Sequence, residues 1–406
     1  MMLEDPNHDD KDTPTLQNKT TKKTKVSLVR AHDYEFSQIH AALGKAIELI
    51  GGLHEIVKPG ARVFVKINHL SPPSPAERGI VTHPVFVEAV LELLKAAGAD
   101  ITVGDDIDSG ARDGFEVSGY RQMCQRAGVR LINLREAGFV EIKCNGLLLD
   151  KLYVSRIALE ADVIVNLPKL KTHSFTVFTG GIKNTYGIIP TGLRTRFHHE
   201  YMRRADFCQM LTDIFSAIRP QLTIMDGIFA MEGEGPASGN LRRLGIMLAS
   251  QDAVALDAVA SRIIGLDPMD VYTTRYAHRR SLGIGDLQQI EVVGECIENV
   301  VVSDFKLPAA YGNMLVERVP KFLSKSLSRY LLTRQQVRET LCTGCAECEK
   351  ACPSGAISIN GKTAKVDRSV CINCMCCHEV CRFGAIVPRR PIARRSLDFA
   401  KRILRI

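Results

Sequence analysis

Residues 162–173 read D-V-I-V-N-L-P-K-L-K-T-H. The first six are a short apolar run rich in β-branched residues, the composition of a buried strand, and the stretch turns polar immediately afterwards with Lys169, Lys171 and His173. Runs of the same kind stand at 26–30, 62–67, 100–104 and 130–134 before it and at 221–226 after it. Between them, 36–53, 84–97, 116–127, 205–218 and 253–264 carry apolar residues at three-and-four spacing, the period of an amphipathic helix. This alternation predicts an α/β fold, a mostly parallel sheet joined by crossover helices. Open sheets of this kind bind ligands at the carboxyl ends of their strands, so polar residues there are the first candidates for function.

Four segments fit that description. V-F-V-K-I-N at 63–68 brings Lys66 to a strand end, and 166–173 does the same for Lys169, Lys171 and His173. G-G-I-K-N-T-Y-G at 180–187 is a glycine-rich loop with Gly180, Gly181, Lys183 and Asn184, and M-D-G-I-F-A-M-E-G-E-G-P at 225–236 sets Asp226, Glu232 and Glu234 among glycines. Lysines, a histidine and open glycine backbone make an anion site, because N–H groups at such turns donate to carboxylate or phosphate. The expected reading is an anionic small molecule held by Lys66, Gly180, Gly181, Lys183, Asn184, Glu232 and Glu234. Lys169, Lys171, His173 and Asp226 are the catalytic candidates, the carboxylates serving as proton acceptors or hard-metal ligands. The plainer alternative is a solvated K-L-K-T-H loop with glycines that only permit tight turns. His198, His199 and Glu200 lack the H-E-x-x-H spacing of a zinc peptidase and suit a lid. Neither a Walker A motif nor a G-x-G-x-x-G turn after the first strand is present.

Nine of the 13 cysteines lie between Cys342 and Cys381. Residues 342–353 read C-T-G-C-A-E-C-E-K-A-C-P and 371–381 read C-I-N-C-M-C-C-H-E-V-C, each containing C-x2-C-x2-C-x3-C. Three thiolates of such a run hold one 4Fe-4S cluster while the fourth crosses to the other. The spacing therefore predicts two 4Fe-4S clusters in a small α+β ferredoxin domain. One is held by Cys342, Cys345, Cys348 and Cys381, the other by Cys371, Cys374, Cys377 and Cys352. Zinc knuckles would need four local ligands per site and do not explain the doubled run. Arg382 replaces the proline that follows the first run, and the extra Cys376 either competes as a ligand or packs as a small hydrophobe.

The chain has 406 residues with a net charge of +8, 45% hydrophobic and 24% charged, ordinary for two or three globular domains. The charge is uneven: 388–406 hold seven basic residues and one acid, +6 of the +8. That distribution, without a basic domain interleaved with aromatics, argues against nucleic acid as a partner. No run reaches the roughly 18 apolar residues of a membrane span, and the first residues lack the order of a secretory signal, so a cytoplasmic protein is expected. The divisions read as a disordered arm (1–23), the α/β domain (24–300), a basic amphipathic linker (301–338), the two-cluster ferredoxin domain (339–388) and a basic amphipathic tail (389–406). The tail suits an anionic membrane surface or an acidic partner.

Together with T-H-P at 82–84, G-D-D at 104–106 and D-A-V-A-L-D-A at 252–258, the polar segments from about Lys25 to Glu295 resemble the domain of unknown function (DUF) family 362. Members commonly carry a two-cluster ferredoxin module after the α/β domain, as here. The resemblance implies an iron-sulfur protein often described as an oxidoreductase, with no settled substrate. Three readings stand at this point. The first is an oxidoreductase whose clusters relay electrons between a bound anion and an electron donor or acceptor protein. The second is a carrier or binding module that docks a partner or metallocofactor without chemistry of its own. The third is a non-redox transferase with structural clusters.

Overall fold

A computed structural model of the protein describes residues 23–70, 73–107, 113–312 and 333–389. The arm expected over 1–23 lies outside the described residues except for residue 23, as do 313–332 of the linker and all of the tail beyond 389.

The α/β domain supplies twelve strands: β1 Thr24–Arg30, β2 Arg62–Ile67, β3 Asp100–Asp105, β4 Arg130–Asn133, β5 Phe139–Lys143, β6 Lys151–Ser155, β7 Val163–Leu167, β8 Lys169–His173, β9 Val177–Thr179, β10 Leu222–Glu232, β11 Asn240–Ser250 and β12 Ile290–Gly294. The main sheet runs β12-β1-β11-β10-β7-β2-β3-β4, with β8 and β9 branching from β10 and with β5 and β6 paired apart. Every neighbour along the main path is parallel except the two pairings of β11. The fold is therefore α/β with a mostly parallel sheet. Its inner parallel strands are mainly apolar because both faces are covered: Val63, Val65 and Ile67 pack under the helices Phe36–Leu49 and Pro84–Ala96, while Phe64 points to the opposite cluster with the helix Arg204–Ala217.

Three differences from the sequence expectation bear on function. K-L-K-T-H is neither a strand end nor a solvated loop but β8, with all five residues buried. The run at 221–226 continues to Glu232 and turns back as β11, so an antiparallel pair stands in the middle of a parallel sheet. The helix expected over 116–127 breaks at Gly119, whose φ of 81° interrupts the helix between Gly114–Val117 and Tyr120–Ala127.

The cysteine-rich region is a separate small unit of β13 Arg334–Val337, β14 Ile357–Asn360, β15 Thr363–Val366 and β16 Ile386–Arg389 with the short helices Glu347–Lys350 and Cys376–Glu379. β13 pairs with β16 and β14 with β15, both antiparallel. The unit repeats itself every 29 residues: both strands and the helix of one half recur in the other, as do positive-φ residues at Gly344 and Asn373, Ala346 and Met375, and Gly355 and Gly384. It is fastened to the α/β domain at its second half. Met375 enters a hydrophobic cluster of that domain, and the His378 ring nitrogens meet the carbonyls of Ile386 at 2.7 Å and, across the junction, Glu234 at 3.0 Å.

Candidate functional site

The first four-cysteine set surrounds a small enclosed space: Cys342, Cys345, Cys348 and Cys381 line it with Ala364, Phe383 and Ile386. Burial, with the neighbouring thiols Cys381, Cys345 and Cys342, raises the Cys348 thiol to about 11. The second set is similarly gathered, since Cys377 is pushed up by burial and by Cys374, Cys371 and Cys352 around it. Among the described residues no three His, Cys, Asp or Glu side chains converge tightly enough for one metal ion. Four thiols standing around a space suit a multi-iron cluster better than a single zinc. Backbone N–H groups aim at the sulfurs as well, Ala356 at Cys352 (3.2 Å), Ala385 at Cys381 (3.2 Å) and Ala364 at Cys342 (3.4 Å), which stabilises thiolate charge. The residues thus fit a 4Fe-4S group.

A second cavity, of about 180 Å³, lies between the strand ends and the cysteine module. Its α/β walls carry Lys66 on β2, Lys171 and His173 on β8, Lys183 and Asn184 on the short helix Gly181–Asn184, and Arg194 and His198 on the helix Thr191–Glu200. The module closes it with Ala351, Cys376, Glu379 and Val380. Two of these adjoin members of the second cysteine set, Ala351 beside Cys352 and Cys376 beside Cys377.

The charges in the cavity differ in how far they are satisfied. Lys66 pairs with Asp105 at 2.8 Å, and Arg194 with Asp106 at 3.0 Å. Lys171, 1% exposed, donates to the Ile80 carbonyl at 2.6 Å and has no carboxylate within salt-bridge reach among the described residues. Burial, reinforced by Lys183 and Lys169, lowers it to about 7. Lys183 lies 5.6 Å from the Tyr186 ring and is also pushed down by burial. His173 accepts from the backbone N–H groups of Phe175 (3.1 Å) and Thr176 (3.3 Å) at Nδ1, so its proton sits on Nε2, 3.3 Å from Glu379 Oε1. That contact is close but poorly aligned, and neither atom makes a hydrogen bond. Burial raises Glu379 to about 7 and holds His173 well below its usual value.

Buried polar atoms without partners concentrate here. His69 Nδ1, His173 Nε2, Thr179 Oγ1, Arg194 Nε, His198 Nδ1 and Glu379 Oε1 are all orphaned, and all belong to residues lining this one cavity. A buried unsatisfied donor or acceptor costs about 1–3 kcal/mol, so a cavity that gathers six is built to have them met by something it binds.

Several sequence candidates take other positions. Lys169 pairs with Asp226 at 2.7 Å and also donates to the Tyr34 hydroxyl; neither Lys169 nor Asp226 lines the cavity. Glu232 accepts from the Lys306 N–H at 3.1 Å, while Glu234 accepts from Ala309 N–H at 2.7 Å and from Ser174 at 3.2 Å, so both anchor the following chain rather than a ligand. The expected glycine cradle is filled from within: Gly181 N–H donates to Asp257 Oδ1 at 2.6 Å and Ile182 N–H to Oδ2 at 3.0 Å. Gly180 lacks a side chain because a Cβ there would overlap the Asp257 carboxylate and the Phe178 ring. His198 is a buried wall residue while His199 is exposed, which replaces the expected lid. Asp105, Asp106, Arg194 and Glu379 were not singled out from the sequence. G-D-D at 104–106 was noticed as a motif, and Arg194 and Glu379 carry no local pattern.

The family described as "Domain of unknown function (DUF362)" matches residues 63–262, and the 4Fe-4S binding domain family matches 336–358. The latter assigns an iron-sulfur electron-transfer role. A thylakoid-associated protein of Synechocystis sp. is 35% identical over 285 residues, 70% of this chain and 87% of that protein. Among solved structures, the lactate racemase apoprotein of Thermoanaerobacterium thermosaccharolyticum aligns with a TM-score of 0.42 at 10% identity, over 59% of this chain and 57% of that one. A Thermotoga maritima protein aligns with a TM-score of 0.33 at 16% identity, over 50% of this chain and 52% of that one. This chain thus spans little more than half the length of the solved structures it matches. Among the described residues no helix is long and apolar enough to cross a membrane.

Proposed function

The chain belongs to the DUF362 family, and on that premise we propose that it is an iron-sulfur oxidoreductase acting on an anionic small molecule bound between the α/β domain and the ferredoxin module. The observation that carries this reading is the cavity itself: six orphaned polar atoms and two lysines that lack carboxylate partners among the described residues line a space closed by residues that flank the second cysteine set. The 29-residue repeat supports two 4Fe-4S clusters rather than one, because every element that holds the first set of thiols recurs around the second.

When bound, the clusters supply or accept one electron each. The chain's own residues do the rest. Lys171 and Lys183 neutralise the anion, His173 presents its Nε2–H, Asn184 orients, and the module excludes water so that these charges act at low dielectric. Held by the two cysteine sets, the clusters would supply the electrons of a two-electron reduction; among the chain's own cavity groups Lys171 is the first proton donor, because burial brings it near neutrality. Oxidation is the same exchange reversed. The protein works on the cytoplasmic side in this reading. The basic residues 390–406 suit contact with an anionic membrane surface or an acidic partner, in keeping with the name of the thylakoid-associated relative.

The test is anaerobic reconstitution followed by an EPR-monitored redox titration with and without a panel of small carboxylates and phosphate esters. One of them should shift or discharge cluster reduction in the wild type and fail to do so in Lys183→Ala. If no anion of either class alters cluster reduction or binds the reconstituted protein, the carrier reading takes its place.

A further inference from the structure

A further open space at the junction is a groove of about 640 Å³. Arg78, Arg338, Arg382 and Arg389 line it, and among the described residues none of the four has a salt bridge: Arg78 donates only to the carbonyls of Arg382 and Ala237, Arg389 donates to Gln336, and Arg382 Nε is buried without a partner. The one acid in the lining, Glu234, already accepts from Ala309 and Ser174. Within this basic frame stand two exposed apolar side chains, Leu341 (43% exposed) and Phe383 (44%). Phe383 also lines the space enclosed by Cys342, Cys345, Cys348 and Cys381, so a single residue layer separates the groove from the first cysteine set.

We propose that this arginine groove is the docking surface for a small acidic electron-carrier protein, and that electrons pass there to the first cluster, then to the second, then to the cavity. This rests on the reading that the clusters relay electrons to a bound substrate. The occupant follows from charge. Four arginines without counter-ions around an apolar centre call for an acidic rim around an apolar patch, the usual make-up of a transient redox interface. The chain's own flanking segments are poor occupants, since 313–332 and 390–406 together carry ten basic residues against two acids and are repelled by the groove. Each encounter moves one electron: the carrier's reduced centre loses it, the first cluster goes from the 2+ to the 1+ core, and no bond or proton changes hands.

The probe is a reduced acidic 2Fe-2S ferredoxin, mixed by stopped flow with the full-length reconstituted protein in the absence of any substrate. Rates are normalised to EPR-detected clusters so that lost iron does not imitate a docking defect. The double variant Arg338→Glu/Arg389→Glu should lower the second-order rate constant by about tenfold or more at low ionic strength, with the gap closing at high salt. Reduction by a photoexcited deazaflavin, which needs no docking, should match the wild type. A ferredoxin rate within twofold of the wild type at low salt overturns the proposal. So does a loss that appears on deleting 390–406 but not in the double variant, which moves docking to the tail. Because no substrate is present, a failure of the cavity reading leaves this result standing, and the converse also holds.

Discussion

At the residue scale, two lysines two positions apart on β8 have different work. Lys171 faces the cavity without a carboxylate, so Lys171→Ala and Lys183→Ala should each weaken binding of the effective anion by about 10–100-fold, as loss of a charge-assisted contact does. Calorimetric titration checks this, with little change expected in the denaturation midpoint. Lys169→Ala should do the reverse: it strands the fully buried Asp226 and costs about 3–5 kcal/mol of stability, seen in urea unfolding. The buried histidines predict an acid response. Burial lowers His69 to about 4 and His198 to about 3, so the unfolded chain binds more protons than the folded one below the ordinary value of 6.5. Stability is therefore full above that value and falls as pH drops through 6.5 toward 4, by up to about 1.4 kcal/mol per pH unit for each ring. Urea midpoints at pH 7.5 and 5.5 should show the fall, and His198→Gln should reduce it; equal slopes in both proteins would disprove the assignment.

At the scale of elements, what could be read from sequence followed the burial pattern. β2, β3 and β7 were legible because buried parallel strands are mainly apolar, and the edge strand β4 because Leu131 and Ile132 stand at its centre. β8 was not, because Lys169, Lys171 and His173 look solvated until Asp226, the Ile80 carbonyl and the module are seen to receive them. β11 is illegible for a different reason: its N-L-R-R start reads as loop, and only pairing with β10 makes it a strand. The glycine segment 180–187, expected to hold a ligand anion, has its Gly181 and Ile182 N–H groups taken by the Asp257 carboxylate instead. Gly180→Ala should accordingly lower stability by about 1–3 kcal/mol through overlap with Asp257 and Phe178, measured by urea denaturation, while anion affinity per folded molecule stays near wild type.

At the scale of the whole molecule, the cavity belongs to neither half alone. Its lysines come from 66–183 and its closing wall from 351 and 376–380, a juxtaposition that no local pattern announces. The one hint in the sequence was a difference between the two cysteine runs: Cys376 and Glu379 occupy the places that Glu347 and Lys350 hold in the first copy. Cys376 lines the cavity, so Cys376→Ser should leave the cluster EPR signals intact while altering the response to the bound anion. Gentle anaerobic removal of iron should weaken anion binding by about tenfold or more, since the module that excludes water is small and depends on its metal for folding. Anion affinity that survives iron removal would detach the two halves functionally. The His378 bridge to Glu234 and the insertion of Met375 give this dependence a direction in the life of the chain. On the proposed function, a newly made molecule that has not yet received its iron would lack a finished binding chamber and a damaged one would lose it. Substrate would then be committed only to molecules already equipped to complete the reaction, which would spare the cell a population of idle, substrate-sequestering protein when iron is scarce.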